Sequence, residues 1–513
     1  MTTETLEKNT PNLDEPLPTP TPLTINGQSI LFPPLPFDLK ARADLATKDE
    51  KLQQFVNHAA YSRDQQRKNV CGETFGENYD PMRELAGDIK QHTLDHLDYY
   101  LEQFIKNATD AGVKMHYALD GKQANQIAVD IAKENDCKLC VKSKSMVTEE
   151  THLVPALEEI GCETVETDLG EFILQIDGDA PSHLVQPMIH KDRVATAEAF
   201  TRVLGAKYTE DADELTKIAR EYLRNKYRKA DLGISGGNFL VAETGTITII
   251  TNEGNARLST SSPRIHVAFV GIEKLVPSLE HLAVFLKLLG RSATGQPLSV
   301  YTTFITGPKK HHEHGGPEEV HIVLIDNGRT EVLKEETREM LRCIRCGACL
   351  NACPVYRKIG GHSYGSVYSG PIGAILTPVF KGLANYKDLP NASSLCGACY
   401  EACPVKINIP KYLVQLRRDM VGGNMTGWLE RFTYRFWTWT LKSSLTYRFT
   451  NWGQKLAFRL KAKMKGTLAK GDPYSARGWL DKVPLARGWT NERDMPSPPQ
   501  KNFRHWWNKE HKK

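Results

Sequence analysis

The sequence predicts three parts in order: an α/β domain with a largely parallel sheet, a compact helical module built around cysteines, and a helical C-terminal region that is basic and aromatic. Three observations carry this expectation. Strand-like and helix-like segments alternate through residues 80–310, the pattern of parallel strands joined by crossover helices. Seven of the eleven cysteines fall between Cys343 and Cys403. Residues 411–513 hold 22 Lys and Arg against 7 Asp and Glu, together with all eight tryptophans, whereas the first 410 residues hold 44 against 54.

Residues 1–37 are proline-rich, from Pro11 through Pro18, Pro20, Pro22 and Pro33-Pro34-Leu35-Pro36. This composition predicts a flexible, poorly packed lead-in. The α/β domain is then expected over 38–310, opened by a helix that starts near Phe37 and runs to about Asn69. Asp80 can cap a helix that begins at Pro81 and runs to about Ala108. A strand over 115–118, a helix over 124–134 and a strand over 139–141 follow. Next come a helix over 149–160 stopped by Gly161, and a strand over 162–167. Gly233, Gly236 and Gly237 read as a turn between helix and strand, or as a loop that lets backbone approach a ligand. Thr244-Gly245-Thr246 opens a β-branched run to Ile250 that reads as a central strand. Its carboxyl-end loop, Asn252-Glu253-Gly254-Asn255, is where α/β sheets place ligands.

Lesser features are expected to be structural. Cys137 and Cys140 have no second pair nearby and read as packing, as do Cys71 and Cys162. His311-His312-Glu313-His314-Gly315-Gly316 reads as a solvated loop beside Lys309 and Lys310. Lys142 and Lys144, with Ser143 and Ser145, offer an anion contact at a strand end.

The cysteine module is expected over 335–411. Its first motif is Cys343-x-x-Cys346-x-x-Cys349-x-x-x-Cys353-Pro354, and its second is Ser393-x-x-Cys396-x-x-Cys399-x-x-x-Cys403-Pro404. Cysteines at intervals of three let one tight loop wrap a cubane, while the following turn carries the fourth cysteine to the other cluster. Cys343, Cys346, Cys349 and Cys403 are therefore expected to hold cluster one as 4Fe-4S. Cys353, Cys396 and Cys399 are expected to hold cluster two, with Ser393 at its fourth corner. Three readings of that corner stand open: a 3Fe-4S cluster, a 4Fe-4S cluster with a non-cysteine ligand, or an exchangeable site. Zinc favours ligands in pairs, whereas this chain has a run of four and a run of three. The 42 residues between Cys353 and Cys396, with the glycine-rich stretch 364–378, are expected to cover the clusters and exclude water.

The C-terminal region, 412–513, carries Leu429, Phe432, Phe436 and Trp439 at helical spacing among Arg431, Arg435 and Lys442. Such a helix suits a partner subunit, its own module, or an anionic membrane surface. No run approaches the ~18 apolar residues of a membrane span. The N-terminus shows no secretory pattern, so a cytoplasmic protein is expected, with the tail available to the inner face of the cell membrane. Nucleic acid is not an expected partner, although basic and aromatic composition alone matches it.

Several motifs together give the chain a resemblance: 142–146 (Lys-Ser-Lys-Ser-Met), 168–171 (Asp-Leu-Gly-Glu), 181–183 (Pro-Ser-His), 243–246 (Glu-Thr-Gly-Thr), 326–329 (Asp-Asn-Gly-Arg), 370–373 (Gly-Pro-Ile-Gly) and 392–399 (Ala-Ser-Ser-Leu-Cys-Gly-Ala-Cys). From about residue 45 onward it resembles the lactate utilization protein B family, the iron–sulfur subunit of a bacterial three-protein L-lactate oxidation system. The resemblance implies an isomerase/CoA-transferase-like LUD domain, a dicluster ferredoxin-like module and a family-specific C-terminal region. It also implies oxidation of L-lactate to pyruvate in company with the other subunits, with electrons leaving toward a respiratory acceptor. The second motif of that family also has three cysteines. No flavin or nicotinamide fingerprint is visible in this chain. The expectation is thus an oxidoreductase subunit that is not catalytic alone, and no catalytic residue is assigned. Two alternatives are the iron–sulfur subunit of another quinone-linked dehydrogenase, and a CoA-transferase-like enzyme with Glu243 as nucleophile and regulatory clusters.

Overall fold

The protein is described by a computed structural model over residues 16–17, 20–464, 473–474, 478–483, 487–490 and 493–511. It divides into a unit from Met1 to Gly422 and a second from Gly423 to Lys513. The centre of the first is a six-stranded sheet, parallel throughout. Its order is Lys114–Ala118, Glu319–Ile325, Ile265–Gly271, Leu232–Ser235, Leu139–Lys142 and Glu163–Glu166. Ile265–Gly271 is buried at every position, as expected of a strand covered on both faces. Helices Gly121–Glu134, Leu169–Asp177, Arg193–Leu204 and Ala212–Lys229 cover the sheet. Asp120, Asp168, Asp192 and Asp211 begin them by accepting first-turn N–H groups.

Several boundaries differ from the sequence expectation. Part of the proline-rich 1–37 falls outside the described residues, but Ile30, Leu31 and Phe37 are buried in the core that the cysteines share. Apolar side chains in that segment outweigh its extended composition. The opening helix is two helices, Leu39–Ala46 and Glu50–Phe75, because Asp49 caps a second start. The next helix is also two, Tyr79–Asp95 and Leu97–Asp110, with Asn78 rather than Asp80 at its cap; Asp80 instead pairs with Arg83 at 2.5 Å. The helix over 149–160 is split by His152 at φ 60° into Met146–Thr151 and Leu153–Glu158. The α/β domain does not stop at 310, since Glu319–Ile325 lies inside the parallel sheet.

The run from Thr246 is a strand with a neighbour on each side, but it lies outside the parallel sheet. Thr246–Thr251 belongs to a second, four-stranded sheet with Leu275–Val276, Phe239–Val241 and Tyr301–Ile305, and it is antiparallel to both neighbours. Gly236 and Gly237 accordingly lie between two strands. Cys346, Cys349, Cys353, Cys399 and Cys403 share one hydrophobic core with Val56, Phe239, Phe285 and Leu288. Helix Glu50–Phe75 lies against both parts: it contacts helix Leu279–Thr294 and also the Ala348–Ala352 and Tyr356–Ile359 turns.

In the second unit, helices Trp428–Leu441 and Ser444–Met464 contact each other. Ala462, Leu480 and Val483 form a small core there, with Phe458 and Met495 against it. No helix among the described residues is long and apolar enough to cross a membrane.

Candidate functional site

Two loops fifty residues apart fold alike. In the first, Arg345 (φ 60°) and Gly347 (φ 75°) take left-handed backbone before the turn Ala348–Ala352; in the second, Leu395 (φ 55°) and Gly397 (φ 85°) do so before Ala398–Ala402. Non-glycine residues pay for that conformation, so its repetition marks a loop wound to a set shape. The Arg345 N–H donates to Cys343 Sγ at 3.4 Å, and the Leu395 N–H donates to Ser393 Oγ at 3.1 Å. Ser393 thus occupies the place of Cys343 and receives the same backbone bond. Cys353 Sγ accepts from the Tyr356 N–H, and Cys403 Sγ from the Ile407 N–H, each at 3.4 Å.

The seven cysteines gather into two groups of electrostatic neighbours. Cys346 and Cys403 interact with each other and both with Cys343, and Cys349 interacts with all three. Cys353, Cys396 and Cys399 interact among themselves. Cys349 also interacts with Cys399, which ties the groups together. Burial pushes Cys346, Cys349 and Cys353 up, Cys399 to about 12 and Cys403 to about 11. Cys396 is exposed, and the Ala398 N–H holds it below the ordinary thiol value. Buried thiols in two such groups lose protons only to a group that brings positive charge, and the thiolate is the ligand. Seven sulfurs and one hydroxyl fit two four-cornered metal–sulfur groups.

Side chains from the α/β part hold these loops. Arg83 donates to the Cys403 and Tyr400 carbonyls, both at 2.8 Å. Arg329, fully buried, pairs with Glu273 at 2.6 Å and with Glu150 at 3.0 Å; Glu273 in turn accepts from Arg345 at 3.2 Å. Burial opposes the charge on Glu273, but Arg329 and Arg345 hold its carboxyl down to about 2. His183 accepts the Val185 and Gln186 N–H groups on Nδ1, so Nε2 carries the hydrogen and donates to Asn351 Oδ1 at 3.1 Å. The neighbouring Ser182 carbonyl accepts from the Tyr356 hydroxyl at 2.8 Å. Helix Gly370–Lys381 covers the module and is buried from Gly370 to Pro378.

A cavity of about 370 Å³ lies between the carboxyl ends of the parallel strands and the first cysteine loop, with Ile344, Arg345 and Cys346 in its wall. Asn252, Glu253 and Asn255 line it, as does Lys144. Lys142 does not; it is buried between Glu149 at 2.9 Å and Glu166 at 2.7 Å. Cys137, Cys140 and Cys162 are packed in a hydrophobic cluster, and His311, His312 and His314 are exposed in a loop. Glu243 is exposed, caps the Leu279 N–H at 3.1 Å and is not in the cavity wall, which gives the nucleophile alternative no support. Sequence reasoning missed Glu273 and Lys274, and met Arg329 only within the motif 326–329, with no role given to it. The one local signal was an acid–base pair inside the apolar run Val270-Gly271-Ile272-Glu273-Lys274-Leu275-Val276.

The LUD domain model matches residues 101–325, and a 4Fe-4S dicluster domain model matches residues 339–407. Proteins called lactate utilization protein B from Bacillus thuringiensis and Bacillus cereus are each 45% identical to this chain over 437 residues, covering 85% of it and 89% of the relative. A crystal structure of a DUF162 family protein from Deinococcus radiodurans matches 45% of this chain and 98% of its own length, at 14% identity and a TM-score of 0.26. The two domain matches in this order, with 45% identity across most of both chains, establish that the chain belongs to the lactate utilization protein B family.

Proposed function

We propose that the chain is the iron–sulfur electron-transfer subunit of a system that oxidises L-lactate to pyruvate and passes electrons toward the respiratory chain. The name of the relatives supports the lactate part, and the dicluster match supports the iron–sulfur part. Cys343, Cys346, Cys349 and Cys403 would hold one cluster, and Cys353, Cys396 and Cys399 the other, with Ser393 at the open corner. When bound, such clusters supply one-electron transfer.

The observation that carries the relay reading is the unequal exposure of the two groups. Cys346 belongs to the wall of the cavity, while Cys396 is exposed and Leu395 beside it is 38% exposed. The chain thereby offers one group to a ligand in the cavity and the other to an external partner. Buried Tyr356, Tyr364 and Tyr368 exclude water around the sulfurs, which tunes potential. In the second unit, Trp428, Phe432 and Trp452 are each more than 60% exposed among Arg431, Arg435, Arg448 and Lys455. A cationic aromatic surface of this kind supports docking on another subunit of the system, or on the inner face of the cell membrane from the cytoplasm.

Anaerobic purification with iron and sulfide counting, followed by EPR of both redox states, tests the reading. About eight irons and two reduced-state signals mean two complete cubanes; an oxidised-state three-iron signal means an open corner at Ser393. Cys343→Ser should abolish the first group's signal and lactate-dependent reduction of the chain by its partner subunits. Full lactate-dependent electron transfer in that variant would overturn the relay.

A further inference from the structure

The cavity beside the first cysteine loop sits at the point where strand order reverses. Glu163–Glu166 lies on one side of Leu139–Lys142 and the later Leu232–Ser235 on the other. Open parallel sheets seat ligands in the crevice this creates. Lys144 follows one of the two diverging strands and Gly236 the other, and both are in the cavity wall.

The charges in the wall are unevenly satisfied. Asp168 accepts the Gly170 and Glu171 N–H groups, Glu273 is held between Arg329 and Arg345, and burial favours the protonated form of Glu253. Arg63 donates to Gln66 and to the Thr294 carbonyl. Lys144 Nζ donates to the Val185 carbonyl at 2.7 Å and has no carboxylate within ion-pair reach among the described residues. Lys274 is only 7% exposed, and its ammonium has neither a hydrogen-bond acceptor nor an ion-pair partner among the described residues. Glu273 and Cys343 attract it without bonding it. Lys144 and Lys274 thus give the wall two ammonium groups outside any ion pair among the described residues.

The wall also says what kind of anion. Leu184, Ile249, Phe269, Leu289 and Ile344 give it an apolar side suited to a carbon chain. The Asp168 and Glu273 carboxylates in the same wall disfavour a dianion such as phosphate relative to a monoanion. Asn238, whose Oδ1 accepts the Ile250 N–H at 2.9 Å, leaves its amide nitrogen to donate to a further oxygen.

We propose that this cavity binds a small organic monocarboxylate of the 2-hydroxy or 2-oxo acid class, its carboxylate paired with Lys274 and Lys144. The choice of acid class rests on the lactate reading above; the anion site rests on the wall itself. Its place against Cys346 puts the bound acid beside the first cysteine group.

The test is calorimetric titration of the anaerobically prepared full-length protein with pyruvate and with L-lactate, using acetate and inorganic phosphate as comparators. Saturable binding of pyruvate or lactate is expected, tighter than that of either comparator. Lys274→Gln should weaken it about tenfold, equivalent to about 1.4 kcal/mol, with iron content and EPR signals unchanged. Lys144→Gln, on a half-buried side chain, should weaken it in the same direction and serves if the buried variant does not fold. No binding to protein carrying its full iron, unchanged affinity in both variants, or tighter binding of phosphate would each overturn the site. Absent binding alongside intact lactate-dependent reduction by the partner subunits overturns the site and leaves the lactate reading standing. Binding that Lys274→Gln abolishes, in a protein whose gene can be deleted without loss of growth on lactate, leaves the site standing and overturns the lactate reading.

Discussion

Ser393 shows how one atom can set the character of a centre. Its hydroxyl accepts the Leu395 N–H at 3.1 Å where Cys343 Sγ accepts the Arg345 N–H at 3.4 Å, so the loop is wound for a ligand at that corner. Ser393→Cys should therefore complete the second set without rewinding the loop. The expected outcome is a second cubane signal in reduced-state EPR and loss of any oxidised three-iron signal; an unchanged spectrum would show that position 393 does not face the metal. The two cysteine loops were legible in the sequence because their spacing is local, with intervals of three set by one turn. Lys274 was not. Its run reads as a buried strand, and only the fold shows that it leaves the sheet at Gly271 and turns an ammonium into a cavity.

At the level of elements, the α/β and cysteine parts meet through close backbone approach. A Cβ on Gly361 would lie 1.7 Å from the Ser182 carbonyl oxygen, and Gly361 N–H donates to the Ser182 hydroxyl at 3.1 Å. Gly361→Ala should destabilise the protein by about 1–3 kcal/mol, read as an earlier urea midpoint. Gly72→Ala provides the contrast, since it sits exposed within helix Glu50–Phe75 with nothing within 4 Å of the added methyl. It should stabilise by about 0.5–1 kcal/mol. Elements were readable from periodicity and caps, while their partners were not. The β-branched run at Thr246–Thr251 identifies a strand, but nothing within it says that its neighbours are antiparallel and belong to a second sheet.

Within the first unit, burial holds four histidines furthest below their ordinary value. It lowers His183 and His266 to about 3, and His152 and His362 to about 4. Each takes up a proton more readily when unfolded, near pH 6.5, so its contribution is fully present above that pH and is lost as pH falls toward 4. Each group adds a slope of up to about 1.4 kcal/mol per pH unit across that window. Urea midpoints should fall between pH 7 and pH 5, and His266→Asn should flatten the fall; equal slopes would sink this account.

The place of Glu319–Ile325 in the sheet also fixes an order of manufacture. Its two neighbours, Lys114–Ala118 and Ile265–Gly271, leave the ribosome long before it and wait unjoined. The strand closes the gap shortly before the first cysteine of the two motifs is translated at position 343, by which time helix Glu50–Phe75 is already made. Yet the group that includes Cys343 draws on Cys403, sixty residues further on. The newborn chain therefore presents a finished scaffold with three thiols of that group and its fourth still missing. During that interval it depends on its surroundings to keep oxygen and stray metals away.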